Sequence, residues 1–531
     1  MSTLGLPSDE CLLEYDDHRL LASIAESAQT IAQGGGGVAS LPWVSPKDFG
    51  AVGNGVADDT VPVQQAFDAI NTGSKTMLVF DGMFAVSDTI TYSSKKAINI
   101  LGLGSNTGLL GTADFGDILL ITAPYALPTN QDIDTPDTPL TESDGLLGIR
   151  LDNFGVYSSV VRTSGFAIHT AWTDGASILR VKCGSISDQH WTIYGGIAME
   201  AQSNCDIAGC EIYSLKYGVY VNGFEVPGDM GSGMANIPIF HYDGQVRECV
   251  LWGGGIQDDP RAWVADSYGV WVNGGCGGFR VQGNTNISGY FHGYHVDTFA
   301  GSGSVSALQN NRELFISETF LDSNGTAGAY IGSAITLLTL TDFWCVANNQ
   351  DPDVDPDQPH GIGLWVVAQV GAGINIFGGK IEQQVQDIYI DDSLTSLTCT
   401  GVKTQVVNLV NAQNVSFVGG ILESSLTTGT VTSVLIKSVR EQPDNKLTVG
   451  DNATTLTNIR VGQTTLSGGT AVVADASVTA NTKIFVSVHT LGTIAIAAAY
   501  DATTRTPGTN FTIKSSSGTD TSVVDYLMLE P

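Results

Sequence analysis

Basic residues are scarce in this 531-residue chain: Lys and Arg number 23 against 54 Asp and Glu, a formal net charge of −31. Such a field repels nucleic acid and anionic membrane, both of which need a protein that neutralises phosphate, so neither partner is expected. The eight cysteines (11, 183, 205, 210, 249, 276, 345, 399) form no CxxC pair and no ligand cluster, which leaves a zinc site without support. Cys183 and Cys205 are 22 residues apart, and small thiols stacked in a repetitive interior account for them better. Long apolar runs are also absent: none approaches the ~20 residues that span a bilayer, and no charged and then apolar leader opens the chain. Ser/His/Asp and Cys/His nucleophile signatures are missing, and the Gly-rich stretches lack the strand-turn-helix context of a nucleotide site. No metal or cofactor is expected.

What is abundant points to strands. Glycine reaches 63 residues, with much Thr, Ser, Asn and Val; Gly and Asn supply positive φ in tight turns, while β-branched residues fill a pleated stack. The length suits several domains or one solenoid that grows by stacking, and the composition favours the solenoid. An irregular repeat between about 97 and 455 supports it. Similar apolar segments start at Gly218, Gly269, Gly293, Gly328, Gly363 and Asp387, separated by 51, 24, 35, 35 and 24 residues. A coil of ~20–25 residues with loops inserted at its corners gives such a series, the step of 51 counting as about two coils. The largest insertion, 224–268, contains Tyr242, Trp252 and Trp263. Acid-and-proline loops are expected at 349–359 and around 131–144; the former lacks the glycine and terminal glutamate of a calcium loop.

One segment is more specific. Gly50, Gly53 and Gly55 lead into Asp58-Asp59-Thr60, an amphipathic helix near 60–70 carrying Val63, Ala66, Phe67 and Ile70, and an apolar strand at Met77-Leu78-Val79-Phe80. That order resembles the opening of the pectate-lyase-like right-handed parallel β-helix family, which includes many bacteriophage tailspikes and tail-fibre depolymerases. In that family the element caps the first coil, which makes Asp58 and Asp59 structural. Residues 458–531, with strands such as 483–488 and 510–514, look like the small C-terminal β-sandwich of phage tail proteins, which in those relatives helps trimerise the spike and can bind sugar. Residues 1–40 carry Leu20, Ile24, Ala28 and Ile31 near one helical face, ended by Gly34 to Gly37; too short to stand alone, this helix reads as an attachment stem. The expected fold is therefore all-β: stem 1–40, right-handed parallel β-helix 41–457 and C-terminal β-sandwich 458–531.

The resemblance implies a homotrimeric virion component that is made in the host cytoplasm, joins the phage tail or baseplate through its N-terminus and acts on a host cell-surface polysaccharide. Stacked coils bring remote acids together about 4.8 Å apart per coil. Aligning Ile316–Asp322 with Ile376–Glu382 places Asp322 and Glu382 in one column, with Trp344, Lys403 and Glu423 expected in the same one; Gly-Gly-x-aliphatic-Glu recurs at 378–382 and 419–423. Glycoside hydrolysis needs one protonated and one ionised carboxyl. Glu382, Glu423 and Asp322 are the catalytic candidates, and Trp344, Lys403, Trp252 and Trp263 the substrate-binding ones. Elimination next to a uronate needs a base and a cation, for which Lys403, Arg312, His292, His295 and Tyr290 are available without forming a compact basic cluster. A non-catalytic receptor-binding fibre would keep the aromatics and lose nothing when Glu382 or Glu423 becomes Gln. Trp271, Tyr290 and Trp365 suit sugar stacking or interior packing equally.

Overall fold

A computed structural model describes residues 43–124, 146–186, 191–200, 204–227, 236–239, 241–254, 264, 266–273, 276–297, 311–332, 335–348, 361–367, 370–382, 384–437, 440–441, 446–449, 454–476, 478–492 and 498–530. The stem expected at 1–40, both acid-and-proline loops and Trp263 lie outside the described residues.

From Trp43 to Val449 the strands of the main sheet pair in parallel with the strand one coil away, in three ladders; an antiparallel hairpin and two short parallel pairs stand apart from it. The first passes through Phe279–Gln282, Asn311–Ser317, Ile335–Thr341 and Val370–Phe377. The second passes through Val250–Gly253, Asn286–Ser288, Phe320–Asp322, Trp344–Val346 and Lys380–Glu382. The third passes through Tyr268–Asn273, His292–Asp297, Ala327–Ile331 and Ile362–Val366. Alternation within each strand decides the interior: Leu251, Ile287, Leu321, Cys345 and Ile381 point in and join one continuous core from Val44 to Leu422. The chain is a parallel β-helix.

All six repeat starts recognised in the sequence fall in one column of the third ladder. Val219, Val270, Tyr294, Ala329, Leu364 and Ile388 are successive register partners. Because Val219 pairs directly with Val270, the step of 51 is a single coil, not two; its surplus lies in the hairpin Phe224–Pro227 with Asn236–Ile239 and in the segment before Tyr268. The residue before each partner is glycine until Asp387, since the coils approach too closely for a side chain. A Cβ on Gly363 would lie 2.4 Å from Ile381 Cγ2 and 2.6 Å from the Asp387 carbonyl oxygen. Gly363→Ala is therefore expected to destabilise the chain by about 1–3 kcal/mol, read as a lower denaturation midpoint.

The helix α1, Thr60–Thr72, buries Val63, Ala66, Phe67 and Ile70 in the first coils. Asp59 accepts hydrogen bonds from the backbone N–H groups of Val52 and Gly53, and Asp58 from Thr60 N and Ser87 Oγ, so both carboxylates are spent on the turn, as expected. No helix among the described residues is long and apolar enough to cross a membrane. Seven described cysteines are free and buried. Cys210 and Cys249 sit on adjacent coils, the Cys210 N–H facing the Cys249 sulfur at 3.4 Å, whereas Cys183 and Cys205 belong to different ladders.

Pairing turns antiparallel at Thr454–Thr465. That strand, Val523–Glu530 and Lys483–Thr490 form one sheet, and Thr470–Ala474, Asn510–Ser515 and Ala498–Thr506 a second. Leu466, Val478, Phe511, Ile513, Val524 and Met528 fill a separate core between them.

Candidate active site

Single residues in the left-handed conformation turn the chain from the first ladder into the second. They stack coil upon coil: the Asn284 N–H bonds to the Glu318 carbonyl, and the residues that follow are Asp342, Gly378, Gly401 and Gly419. Glu318 and Asp342 both hold φ +47°, a region usually left to Gly, Asn or Asp. Two residues further on, the outward positions of the second ladder begin.

Those positions make two neighbouring columns. One runs Val250, Asn286, Phe320, Trp344, Lys380, Lys403 and Ile421; the other runs Trp252, Ser288, Asp322, Val346 and Glu382. Asp322 and Glu382 thus share a column, two coils apart and about 9.6 Å between backbones, and Trp252 stands two coils before Asp322 in it. Trp344 and Lys403 do not share it: Trp344 pairs with Phe320 and Lys380, so both stand two residues upstream, on the same face. Glu423 lies at the register shift just after Leu422, which pairs with Thr404; its side chain is outside the described residues.

Glu382 is the electrostatic centre of this face. Lys380 Nζ contacts its Oε1, Lys403 Nζ lies 2.7 Å from Oε2, and the carboxylate, close to the surface, is only 6% exposed beneath these cations. Burial works against its charge, but the bonds to Lys380 and Lys403 outweigh it and hold the carboxyl below its ordinary range. Lys380 also sits over the Trp344 ring, 4.7 Å from its centroid. Trp344 and Phe320 are exposed, their centroids 5.8 Å apart with planes inclined by 33°, an apolar platform beside the charges. Asp322 is half-buried and accepts from Ser323 Oγ at 3.0 Å. A recess of about 280 Å³ opens between Phe320, Trp344, Lys380, Asn284 and the corner acids Glu318 and Asp342. The sequence reading misses Phe320, Lys380, Glu318 and Asp342 as site residues, although the strands aligned to find Asp322 and Glu382 contain three of them. Toward the other end, Trp252 meets Tyr213 edge-on at 5.4 Å, and its carbonyl accepts from Trp191 Nε1.

The residues considered for elimination fare differently. Tyr290 is fully inside the fold, and His292 and His295 are buried at 5% and 4% exposure. Their rings are engaged: Tyr290 with Ser214, and the two histidines with one another through Nδ1 atoms 2.7 Å apart. Burial pushes both imidazoles below their ordinary range. The Arg312 side chain lies outside the described residues. Trp271 and Trp365 do not plug the interior: with Tyr220, His295, Tyr330 and Tyr389 they form an outward column on the third ladder. Farther up, His169 bridges Asp117 and Glu200 at 2.8 and 3.0 Å; burial opposes its charge, yet the two carboxylates raise it to about 10, which makes it a fixed cation and no base. Among the described residues no group of three or more His, Cys, Asp or Glu is placed to hold a metal ion.

Comparison with known proteins finds likeness at several levels. Residues 458–529 match the family described as K1 capsule-specific polysaccharide lyase, C-terminal domain. A depolymerase of Klebsiella phage K5-2, described as capsule K30/K69-specific, is 31% identical over 153 residues; the match covers 27% of this chain and 19% of that protein's length. Among solved structures, the tailspike protein gp49 from Pseudomonas phage LKA1 aligns over 92% of this chain and 99% of its own at 13% identity and a TM-score of 0.43. The gp42 tailspike of Acinetobacter phage vb_AbaP_AS12 aligns over 78% and 64% at 12% identity and a TM-score of 0.41.

Proposed function

We propose that this chain is a phage tailspike that binds a host surface polysaccharide on the second ladder of its β-helix and cuts it by glycoside hydrolysis. The observation that carries the reading is the Asp322–Glu382 column beside exposed aromatic rings. Two carboxyls two coils apart leave room for a water on the far side of a sugar, the spacing of inversion. Glu382, kept ionised by Lys380 and Lys403, is the member that orients this water as base. Asp322, half-buried in the same column two coils away, is the member assigned as the acid. Glu423, on the strand that pairs with the start of the Lys403 strand, is the third carboxyl assigned to this site. Trp252 and Trp344 stack sugar faces, and Lys403 holds Glu382. The match of residues 458–529 to a capsule-lyase domain and the partial identity with a capsule depolymerase support a polysaccharide as the substrate. We further assign trimer assembly to the C-terminal sheets, attachment to the phage tail or baseplate to residues 1–40, and synthesis to the host cytoplasm before display on the virion.

A second reading, elimination, is favoured by the description of that same C-terminal family. Product analysis separates the two. Incubation with capsule or lipopolysaccharide from the susceptible host is expected to give fragments heavier by one water per cut and no new absorbance near 235 nm; unsaturated uronate ends would replace hydrolysis by elimination, and intact polymer would leave binding alone.

A further inference from the structure

On this face the cations are engaged and the corner acids are not. Lys380 and Lys403 both sit on Glu382, and Lys380 also covers part of Trp344. Glu318 and Asp342, on adjacent coils, are exposed, and their carboxylates have no hydrogen-bond or ion-pair partner among the described residues. With Phe320 and Trp344 they line a recess of about 280 Å³. On the face as a whole four carboxylates (Glu318, Asp322, Asp342, Glu382) stand against two ammonium groups, and in the recess itself Glu318 and Asp342 stand against Lys380.

We propose that this recess is a sugar subsite that selects a ring offering hydrogen-bond donors and rejects a ring that carries an acid, an inference that rests on reading this face as the saccharide site. The apolar face of a hexose lies on Phe320 and Trp344. Its hydroxyl, amide N–H or ammonium groups donate to Glu318 and Asp342, whose oxygens can only accept. A uronate or sulfate brought within about 5 Å of both carboxylates meets repulsion on the order of tenfold in affinity even in high dielectric. Lys380 does not relieve it, because leaving Glu382 would strip that buried carboxylate of a partner.

Three probes on one ring skeleton test this: D-glucosamine, N-acetyl-D-glucosamine and D-glucuronate, titrated against the full chain by saturation-transfer NMR. Glucosamine and N-acetylglucosamine are expected to bind at least tenfold more tightly than glucuronate. Glu318→Gln with Asp342→Asn should collapse that ratio to within about twofold, and Trp344→Ala should remove binding of all three. Circular dichroism should be unaltered in each variant, since all three residues are exposed and Asn tolerates the left-handed corner. Equal binding of glucuronate, a ratio that survives the double variant, binding retained by Trp344→Ala, or no binding of any probe each overturns the subsite. A chain that discriminates among these monosaccharides yet cuts no polymer overturns only the depolymerase reading.

Discussion

Asp322→Asn is expected to slow polymer cleavage by about 10³-fold at an unchanged denaturation midpoint, and Glu382→Gln to slow it as much while also destabilising the chain. The difference follows from what each carboxyl touches. Asp322 has a single hydroxyl partner, Ser323 Oγ at 3.0 Å, which an amide oxygen also accepts from, so only the proton-transfer role is lost; such roles are worth about 10²–10⁴ in rate. Glu382 carries two lysines. Neutralising it leaves both ammonium groups facing each other across an amide, and because they are 29% and 34% exposed the cost is about 1–2 kcal/mol rather than that of a buried pair. Turnover and chemical denaturation measured on the same preparations distinguish the roles. A non-catalytic fibre predicts that both variants bind polymer as before with no cleavage to lose, and a purely structural Glu382 predicts lost stability at full turnover.

The fold is legible because a solenoid writes itself into the sequence. One tight column in the third ladder admits only glycine, and that constraint repeats at Gly218, Gly269, Gly293, Gly328 and Gly363 in the sequence as it does in space. Coil length is less legible: the coil from Gly218 to Gly269 takes 51 residues because its corners carry a hairpin and a long connection, and nothing in composition separates one inflated coil from two ordinary ones. The site shows the same division. The alignment of Ile316–Asp322 with Ile376–Glu382 matches the observed register, in which Leu340 joins Ile316 to Ile376 and Val346 joins Asp322 to Glu382, and so identifies the Asp322–Glu382 column. The same alignment also expects Trp344 in that column, but the alternation of a strand ties it to Phe320 and Lys380. Glu318 and Asp342 escape notice because their importance comes from backbone conformation: only the left-handed corner turns them outward into the recess.

The glycine column ends at Asp387, and the consequence should be measurable as a stability that falls with rising pH. Its carboxyl is completely buried and accepts from Thr404 Oγ1 at 3.1 Å and from the Gln405 N–H. Burial raises its pKa from 3.8 to about 6; the bonds from Gln405 and Thr404 hold it down, and the charge of Glu382 adds to the rise. The folded state therefore binds this proton more tightly than the unfolded state. The stability this confers is complete below about 3.8, is lost as pH rises to about 6 and stays lost above, a change on the order of 3 kcal/mol. Asp387→Asn keeps an oxygen toward Thr404 and Gln405 but has no charge to bury. It is expected to raise the free energy of unfolding by up to about 3 kcal/mol at about pH 8 and by almost nothing at about pH 3.5, in denaturant titrations of the two chains side by side. A difference that does not vary with pH would mean that burial does not shift the Asp387 carboxyl from its unfolded value. Because Thr404 follows Lys403, which grips Glu382 at 2.7 Å, the same carboxyl also anchors the start of the strand that carries one of the two lysines of the site. Glu382→Gln should accordingly lower the Asp387 transition, and the pH at which stability falls should move down with it.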